Sequence, residues 1–336
     1  MASFVRAFVV PLLVCIVALA CTDVFVRAAF PTTERLSDNF SSAYLRMVVD
    51  RMRDEPRQVV ILGDSVLWGY RLRADESAPA VLARAGVANV NLSYEGGSPA
   101  NTYAMLRYLL ARGVRPGIVV FNVNQKTFNA ADSAYATLHP SVSALARPFI
   151  ASSDAALLAP APSGTTFDAR LDRDVASVWR LYAIRTDVRE LFFGDIDAAH
   201  ALHDVLETAT GAKARNDAAH APTPDKFEGT YDLAPLDDGN VSVRYLSRTI
   251  ETLCAYHIRA LAILTPTNHT LLHEYIDNPQ YERNLAFVRT RLERGGVRVV
   301  NLDRAFGDRD FFDNDHLTAA ANRRLAHDLA TELTHA

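Results

Sequence analysis

Cysteine is scarce in this 336-residue chain: Cys15, Cys21 and Cys254 are the only three, and two of them fall in the first apolar run. That number cannot build a disulfide framework, and the spacing lacks the pairing of a zinc site. An excess of basic charge is also missing. Thirty-five Lys and Arg against thirty-nine Asp and Glu leave a net charge of −4, so nothing favours a phosphate backbone as partner. There is no internal repeat. The Gly-x-Ser-x-Gly elbow of α/β-hydrolases is absent too, because Val66-Leu67-Trp68 follows Ser65 without the second glycine at the required place. What the chain has is apolar mass. With 49% hydrophobic and 22% charged residues it can fill a large core and is no disordered tail.

The longest apolar stretch comes first. Ala7 to Ala20 is interrupted only by Pro11 and follows Arg6, the pattern of a secretory signal. Three outcomes place the rest of the chain outside the cytoplasm: cleavage after Ala18-Leu19-Ala20, lipidation at Cys21, or retention as an anchor. Counted from Phe4 to Phe25, the run is about 22 residues, enough for a bilayer of roughly 30 Å. A helix buried in the core is the fourth option. The division expected is a signal or anchor over 1–30, a polar and mostly helical connector over 31–57, and one domain over 58–336.

Within that domain, short continuous apolar runs alternate with helical segments. Val59-Val60-Ile61-Leu62 ends in Gly63 and reads as a strand buried on both faces. Val87 to Leu92, Ile118 to Val123, Ile258 to Leu264 and Val297 to Leu302 read likewise. Helices are expected over Ser98 to Arg112, where Pro99 suits a first turn, and over Val241 to Tyr256, Tyr281 to Glu293 and Thr318 to Leu333. Such alternation predicts an α/β fold: a central parallel sheet covered by helices on both faces, flavodoxin-like in its winding. Residues 125–240 break the alternation and read as a long, mostly helical insertion capping the domain. Val175, Val178, Trp179 and Tyr182 fall at helical spacing there, Asp195 could cap a helix ending at Gly211, and Lys213 to Gly239 reads as loop.

Ligands of parallel sheets bind at the carboxyl edges of the strands. The first edge carries Gly63-Asp64-Ser65, the second Asn91 through Gly97, and the third Asn122-Val123-Asn124. Asp313-Asn314-Asp315-His316-Leu317-Thr318 precedes the last helix. A serine hydroxyl needs a base to take its proton, and the base needs an acceptor to hold its tautomer. Asp313 and His316, three residues apart, fall on one side of a single turn and can supply both. The backbone N–H of Ser65, an N–H at Gly96 or Gly97, and the amide of Asn124 could converge on an oxyanion. Three plainer readings compete. Ser65 could merely cap a helix. Asp313, Asp315 and His316 could face a metal ion, although no further ligand cluster accompanies them. Asp64 reads as a structural tie of the turn. His257, His269, His327 and His335 have no acidic residue at comparable spacing and read as surface or packing residues. Of these His269, just past a strand edge, is the least secure.

These four blocks, in this order, resemble the SGNH (GDSL-type) hydrolase superfamily over roughly residues 59–124 and 241–333. The resemblance implies a three-layer α/β/α sandwich, with Ser65 as nucleophile, His316 as base, Asp313 as orienting acid, and Gly96 or Gly97 with Asn124 as the oxyanion hole. No cofactor and no metal is expected. The family's third block reads Gly-x-Asn-Asp. Here Asn122 takes the glycine place and Gln125 the aspartate place, so Asn122 stands beside Asn124 as a possible amide donor. Together with an N-terminal anchor, the resemblance implies membrane-tethered members that acylate envelope polysaccharide beside a membrane-bound O-acyltransferase. The expected activity is therefore an extracytoplasmic carbohydrate O-acetyl esterase or O-acetyltransferase, held at the inner membrane with its domain in the periplasm, or else secreted. A lipase-like carboxylester hydrolase and a non-catalytic binding or assembly subunit are the alternatives.

Overall fold

The computed structural model describes residues 9–29, 35–37, 40–53, 59–158, 175, 179–185, 187–188, 223–231 and 233–334. Five strands form one wholly parallel sheet: β1 (Val59–Leu62), β2 (Asn89–Asn91), β3 (Ile118–Val123), β4 (Arg259–Leu264) and β5 (Arg298–Asn301). Their spatial order is β2-β1-β3-β4-β5, the doubly wound order whose switch point lies between β1 and β3. The register places Leu62 beside Phe121, so the β1 and β3 edges end side by side.

Alternation along the strands sorts the core into two layers. Val60, Leu62, Val119, Phe121, Ala262 and Leu264 face one helical layer. That layer contains α2 (Ser42–Met52), α5 (Pro99–Ala111), α7 (Val241–Ala255) and α9 (Pro279–Arg294). Ile61, Val120, Leu261 and Ile263 face the other, which contains α4 (Ala78–Arg84) and α10 (Ala319–Thr334). α10 seats Ala321, Leu325 and Leu329 on the sheet, one face at four-residue spacing. Both layers are full, which is why the strands read as unbroken apolar runs.

Local signals set the helix ends. Ser98 accepts from the Asn101 N–H and Pro99 opens α5. Asn240 caps α7 and Asn278 caps α9. α9 thereby starts two residues before the expected Tyr281.

Residues 31–57, expected as a polar connector, are instead part of the core where described. Leu36, Phe40, Tyr44, Leu45, Val48, Val49 and Met52 are all buried. Each such side chain contributes roughly 1.5–3 kcal/mol on leaving water, so this segment folds with the sheet domain. Between residues 125 and 158 the insertion also packs into the core, through α6 (Pro140–Ala146) and Leu138, Val142, Leu145 and Ile150. Asn129 donates to the carbonyls of Gly229 and Thr230, tying the insertion's beginning to its end. In its middle, Trp179 and Tyr182 stack with ring centroids 5.8 Å apart. Val178, the helix expected from Asp195 to Gly211 and most of Lys213 to Thr223 lie outside the described residues.

The N-terminal run forms α1 (Val10–Ala29), and its side chains from Val9 to Phe25 include Leu12, Leu13, Val14, Ile16 and Val17, all exposed. Asp23 accepts from the Leu181 N–H at 2.7 Å, joining α1 to the insertion. Among the described residues no helix is long and apolar enough to cross a membrane, so the span expected over Phe4 to Phe25 is unsupported as a transmembrane element.

Candidate active site

β1 ends at Leu62, Gly63 turns the chain, and Asp64 caps the four-residue helix α3 (Ser65–Trp68) by accepting from the Val66 N–H at 2.9 Å. Ser65 is the first residue of that helix, so its own N–H has no intrahelical acceptor. Asn122, on β3, grips the same turn from both ends of its amide. Its Oδ1 accepts from the Asp64 N–H (3.1 Å), and its Nδ2 donates to Asp64 Oδ1 (2.8 Å) and Thr265 Oγ1 (3.0 Å). Close packing is severe here. A Cβ on Gly63 would lie 2.3 Å from Asn122 Oδ1, and one on Gly97 would lie 2.3 Å from the Gly63 carbonyl oxygen. Glycine is required at both places because two chain segments touch backbone to side chain and backbone to backbone.

The loop before α10 comes back to this turn. His316 Nε2 stands 2.8 Å from Ser65 Oγ, and its Nδ1 stands 2.8 and 2.9 Å from the two oxygens of Asp313. Asp313 also accepts from the His316 N–H at 3.0 Å, so the tight loop itself fixes the acid against the ring. Ser65 and His316 are buried at 7% and 9% exposure, which keeps the chain of bonds nearly dry. Tyr70 covers the imidazole, with ring centroids 4.4 Å apart. The next residue, Arg71, holds φ at 60°, a left-handed backbone that costs an L-residue roughly 1–2 kcal/mol.

The expected oxyanion donors are arranged less simply. Gly97 donates its N–H to the Tyr94 carbonyl at 3.2 Å, and Gly96 is an exposed turn residue with φ +74°. Asn124 is buried between two carboxylates, donating through Nδ2 to Asp64 Oδ2 (3.3 Å) and Asp315 Oδ2 (2.5 Å). Neither amide of the Asn122–Asn124 pair is therefore idle. Asn122 braces the serine turn, while Asn124 lies deeper, beside the acids.

Sequence reasoning missed Lys126 here. Its ammonium stands 2.5 Å from Asp315 Oδ2, and Asp315 is fully buried. The spacing of 189 residues hides that pair from any local motif. Burial works against a charged His316, but Asp315 and then Asp313 outweigh it, with Lys126 opposing, and the imidazole is held above its ordinary value of 6.5. Burial would raise both acids. For Asp313 the bond from His316 wins, and for Asp315 the Lys126 charge wins, so both fall below the usual carboxylate range. Lys126 is held protonated against burial, chiefly by Asp315. Of the three carboxylates at this site, Asp64 is the one pushed up, by its own burial. Asp313, Asp315 and His316 could bring one ligand atom each within 4.8 Å of one another; as they stand, Asp313 holds the imidazole and one oxygen of Asp315 holds the ammonium.

A second histidine has a partner that local spacing does not show. His269, the first residue of α8 (His269–Ile276), has an acidic partner, Asp303, at 2.7 Å from its Nε2. Asp303 comes from the β5 edge, 34 residues on, where spacing within one turn cannot reveal it. Among the others, His257 and His327 are exposed, as expected, and His335 lies outside the described residues.

Fold and constellation together define a doubly wound α/β protein with a serine–histidine–aspartate chain of hydrogen bonds at the carboxyl edge of its sheet. No protein-family model matches the chain, and no curated protein matches it. Among solved structures, the chain is similar to a carbohydrate acetylesterase, Est24, from Sinorhizobium meliloti, at 10% identity and a TM-score of 0.42, over 83% of this chain and 98% of that one. It is also similar to a GDSL-like lipase from Bacteroides thetaiotaomicron (8%, TM-score 0.41, 88% and 98%). An inhibitor-bound aryl esterase of M. smegmatis gives 11%, a TM-score of 0.40, and 83% and 98%. Likenesses at this level leave the chemistry to be read from the side chains themselves.

Proposed function

We propose that the protein is a serine-dependent ester hydrolase or acyltransferase of the SGNH (GDSL-type) kind, working through an acyl-Ser65 intermediate. One observation carries this reading: a hydroxyl and an imidazole 251 residues apart in the chain meet at 2.8 Å, with a carboxylate on the far nitrogen of the ring. His316 Nε2 takes the Ser65 proton as Oγ bonds to the ester carbonyl carbon. Asp313 stabilises the imidazolium, and the proton then passes to the leaving alkoxide as the C–O bond breaks. The Ser65 N–H faces the oxyanion. Asn124 joins it by exchanging its contact with Asp64 for the developing charge, a donor of a kind worth about 3 kcal/mol in such sites. Water or a sugar hydroxyl, activated by the same imidazole, releases the acyl group.

The substrate we propose is an O-acetylated carbohydrate, handled outside the cytoplasm; the motif resemblance noted in the sequence supports it. The exposed apolar surface of α1 supports contact with an apolar surface such as a membrane; an inner-membrane position with the domain in the periplasm, next to a membrane-bound O-acyltransferase, belongs to the proposal on the strength of the motif resemblance. A non-catalytic binding role is favoured by one feature alone, the engagement of Asn124 by two carboxylates. A fluorophosphonate probe and p-nitrophenyl acetate separate the two. Labelling at Ser65 and turnover, both abolished in Ser65→Ala with a loss on the order of 10⁴-fold, carry the enzyme reading. A folded sample that neither labels nor turns over overturns it. An added oligosaccharide acceptor, followed by mass spectrometry, distinguishes transfer from hydrolysis.

A further inference from the structure

Two charged groups beside the base have no part in the proton path just described. Asp315 is fully buried, next in the chain to His316, and its Oδ1 lies 3.3 Å from the same imidazole nitrogen that Asp313 holds. Among the described residues that oxygen has no hydrogen-bond partner. Its other oxygen accepts from Lys126 Nζ and Asn124 Nδ2, both at 2.5 Å. A buried carboxylate with no cation nearby normally takes up a proton and becomes neutral. This one instead has an ammonium delivered by the turn after β3, whose stem is itself mostly covered at 17% exposure. A buried ion pair of this kind is weak evidence for stability, since well-packed apolar residues serve as well or better. A pair placed against a catalytic ring has a different use.

We infer that Lys126 and Asp315 act as one positioning unit for the base: Lys126 keeps Asp315 ionised, and the ionised Asp315 sets the pH at which His316 can accept the Ser65 proton. The inference rests on the serine-dependent reading above. The groups facing His316 are few. Asp313 and Asp315 come from its own loop, Ser65 from the start of α3, and Tyr70 from the turn after α3, stacked on the ring. Lys126 acts from the β3 edge. Asn124 donates to both Asp64 and Asp315, and the Lys126 charge acts on Asp64 as well. Both carboxylates favour the imidazolium. Lys126 opposes it directly but more weakly than Asp315 favours it, so losing the lysine acts mainly through the acid that it keeps charged.

That ordering yields a pattern a merely structural pair would not produce. Asp315→Asn removes the charge and leaves Lys126 facing the ring, so the acid limb of kcat/KM moves down by about one pH unit or more. Lys126→Met lets Asp315 take up a proton, and the limb moves down by less. The double variant matches Lys126→Met, because its Asp315 is already neutral there. Lys126→Arg keeps the limb of the parent protein. The measurement is kcat/KM for p-nitrophenyl acetate against pH, paired with histidine-selective NMR titration of the full chain, in which His316 is assigned by its absence from His316→Ala. An unmoved limb in Asp315→Asn, or an upward move in Lys126→Met, overturns the inference. If a single variant does not fold, the charge-free double variant and Lys126→Arg still test it. Should the parent protein turn over no ester, the NMR titration decides on the Lys126–Asp315 unit while the enzymatic reading falls separately.

Discussion

Two histidines, one just past β4 and one in the loop before α10, are each held by a carboxylate at nearly the same distance. His316 meets Asp313 at 2.8 Å and His269 meets Asp303 at 2.7 Å. What differs is the other nitrogen of the ring. That of His316 faces the Ser65 hydroxyl, whereas Nδ1 of His269 is buried with no hydrogen-bond partner among the described residues. Asp303 differs as well, since it also accepts from the Tyr281 hydroxyl at 2.5 Å and so belongs to a structural knot. A histidine–carboxylate pair is thus not a catalytic signature by itself. The hydroxyl on the second nitrogen makes one.

Substituting the two in parallel puts that distinction at risk. His316→Ala is expected to lower kcat by about 10³-fold or more. His269→Ala should keep kcat within about tenfold and lower stability by about 1–3 kcal/mol, because Asp303 loses a buried partner. Steady-state kinetics and urea denaturation of both variants suffice, and equal kinetic losses would erase the contrast. The two asparagines give the next largest effect. Asn124→Ala should cost about 10²-fold in kcat with little change in KM. Asn122→Ala should chiefly loosen the serine turn, seen as a lower denaturation midpoint; the reverse assignment would follow if Asn122→Ala took the kinetic loss. Gly97→Ala forces a Cβ against the Gly63 carbonyl, so about 1–3 kcal/mol of destabilisation is expected. The smallest effect is in pH. With His316 raised, activity should fall away on the acid side at a pH above 6.5. In stability the signs oppose: the His316 contribution is full below the unfolded imidazole value and fades as pH rises through the folded one. Those of Asp313 and Asp315 are present at neutral pH and fade as pH falls through their depressed values. Calorimetric melts across pH read both.

Much of this was visible in the residues taken in order. Runs such as Val59 to Leu62 announce strands because both faces are covered, and Ser98-Pro99 announces a helix start because capping is local chemistry. Asp313 and His316 could be paired on paper since one turn contains them. Lys126 with Asp315 and His269 with Asp303 could not, because only the strand order β1-β3-β4-β5 brings those edges together. The segment around Tyr44 reads as polar when its residues are counted. Its apolar positions nonetheless share one face, and that face is what the sheet domain buries.

The Arg35 guanidinium lies 3.3 Å over the Trp68 ring and donates to the Gly69 and Leu72 carbonyls, while Trp68 Nε1 donates to the Leu36 carbonyl. The helix that carries Ser65 is thereby clasped by residues that follow α1 in the chain. Six residue steps separate Ala29 from Arg35, a span of at most about 20 Å. The end of α1 therefore stays within that reach of the residue that grips the helix carrying Ser65.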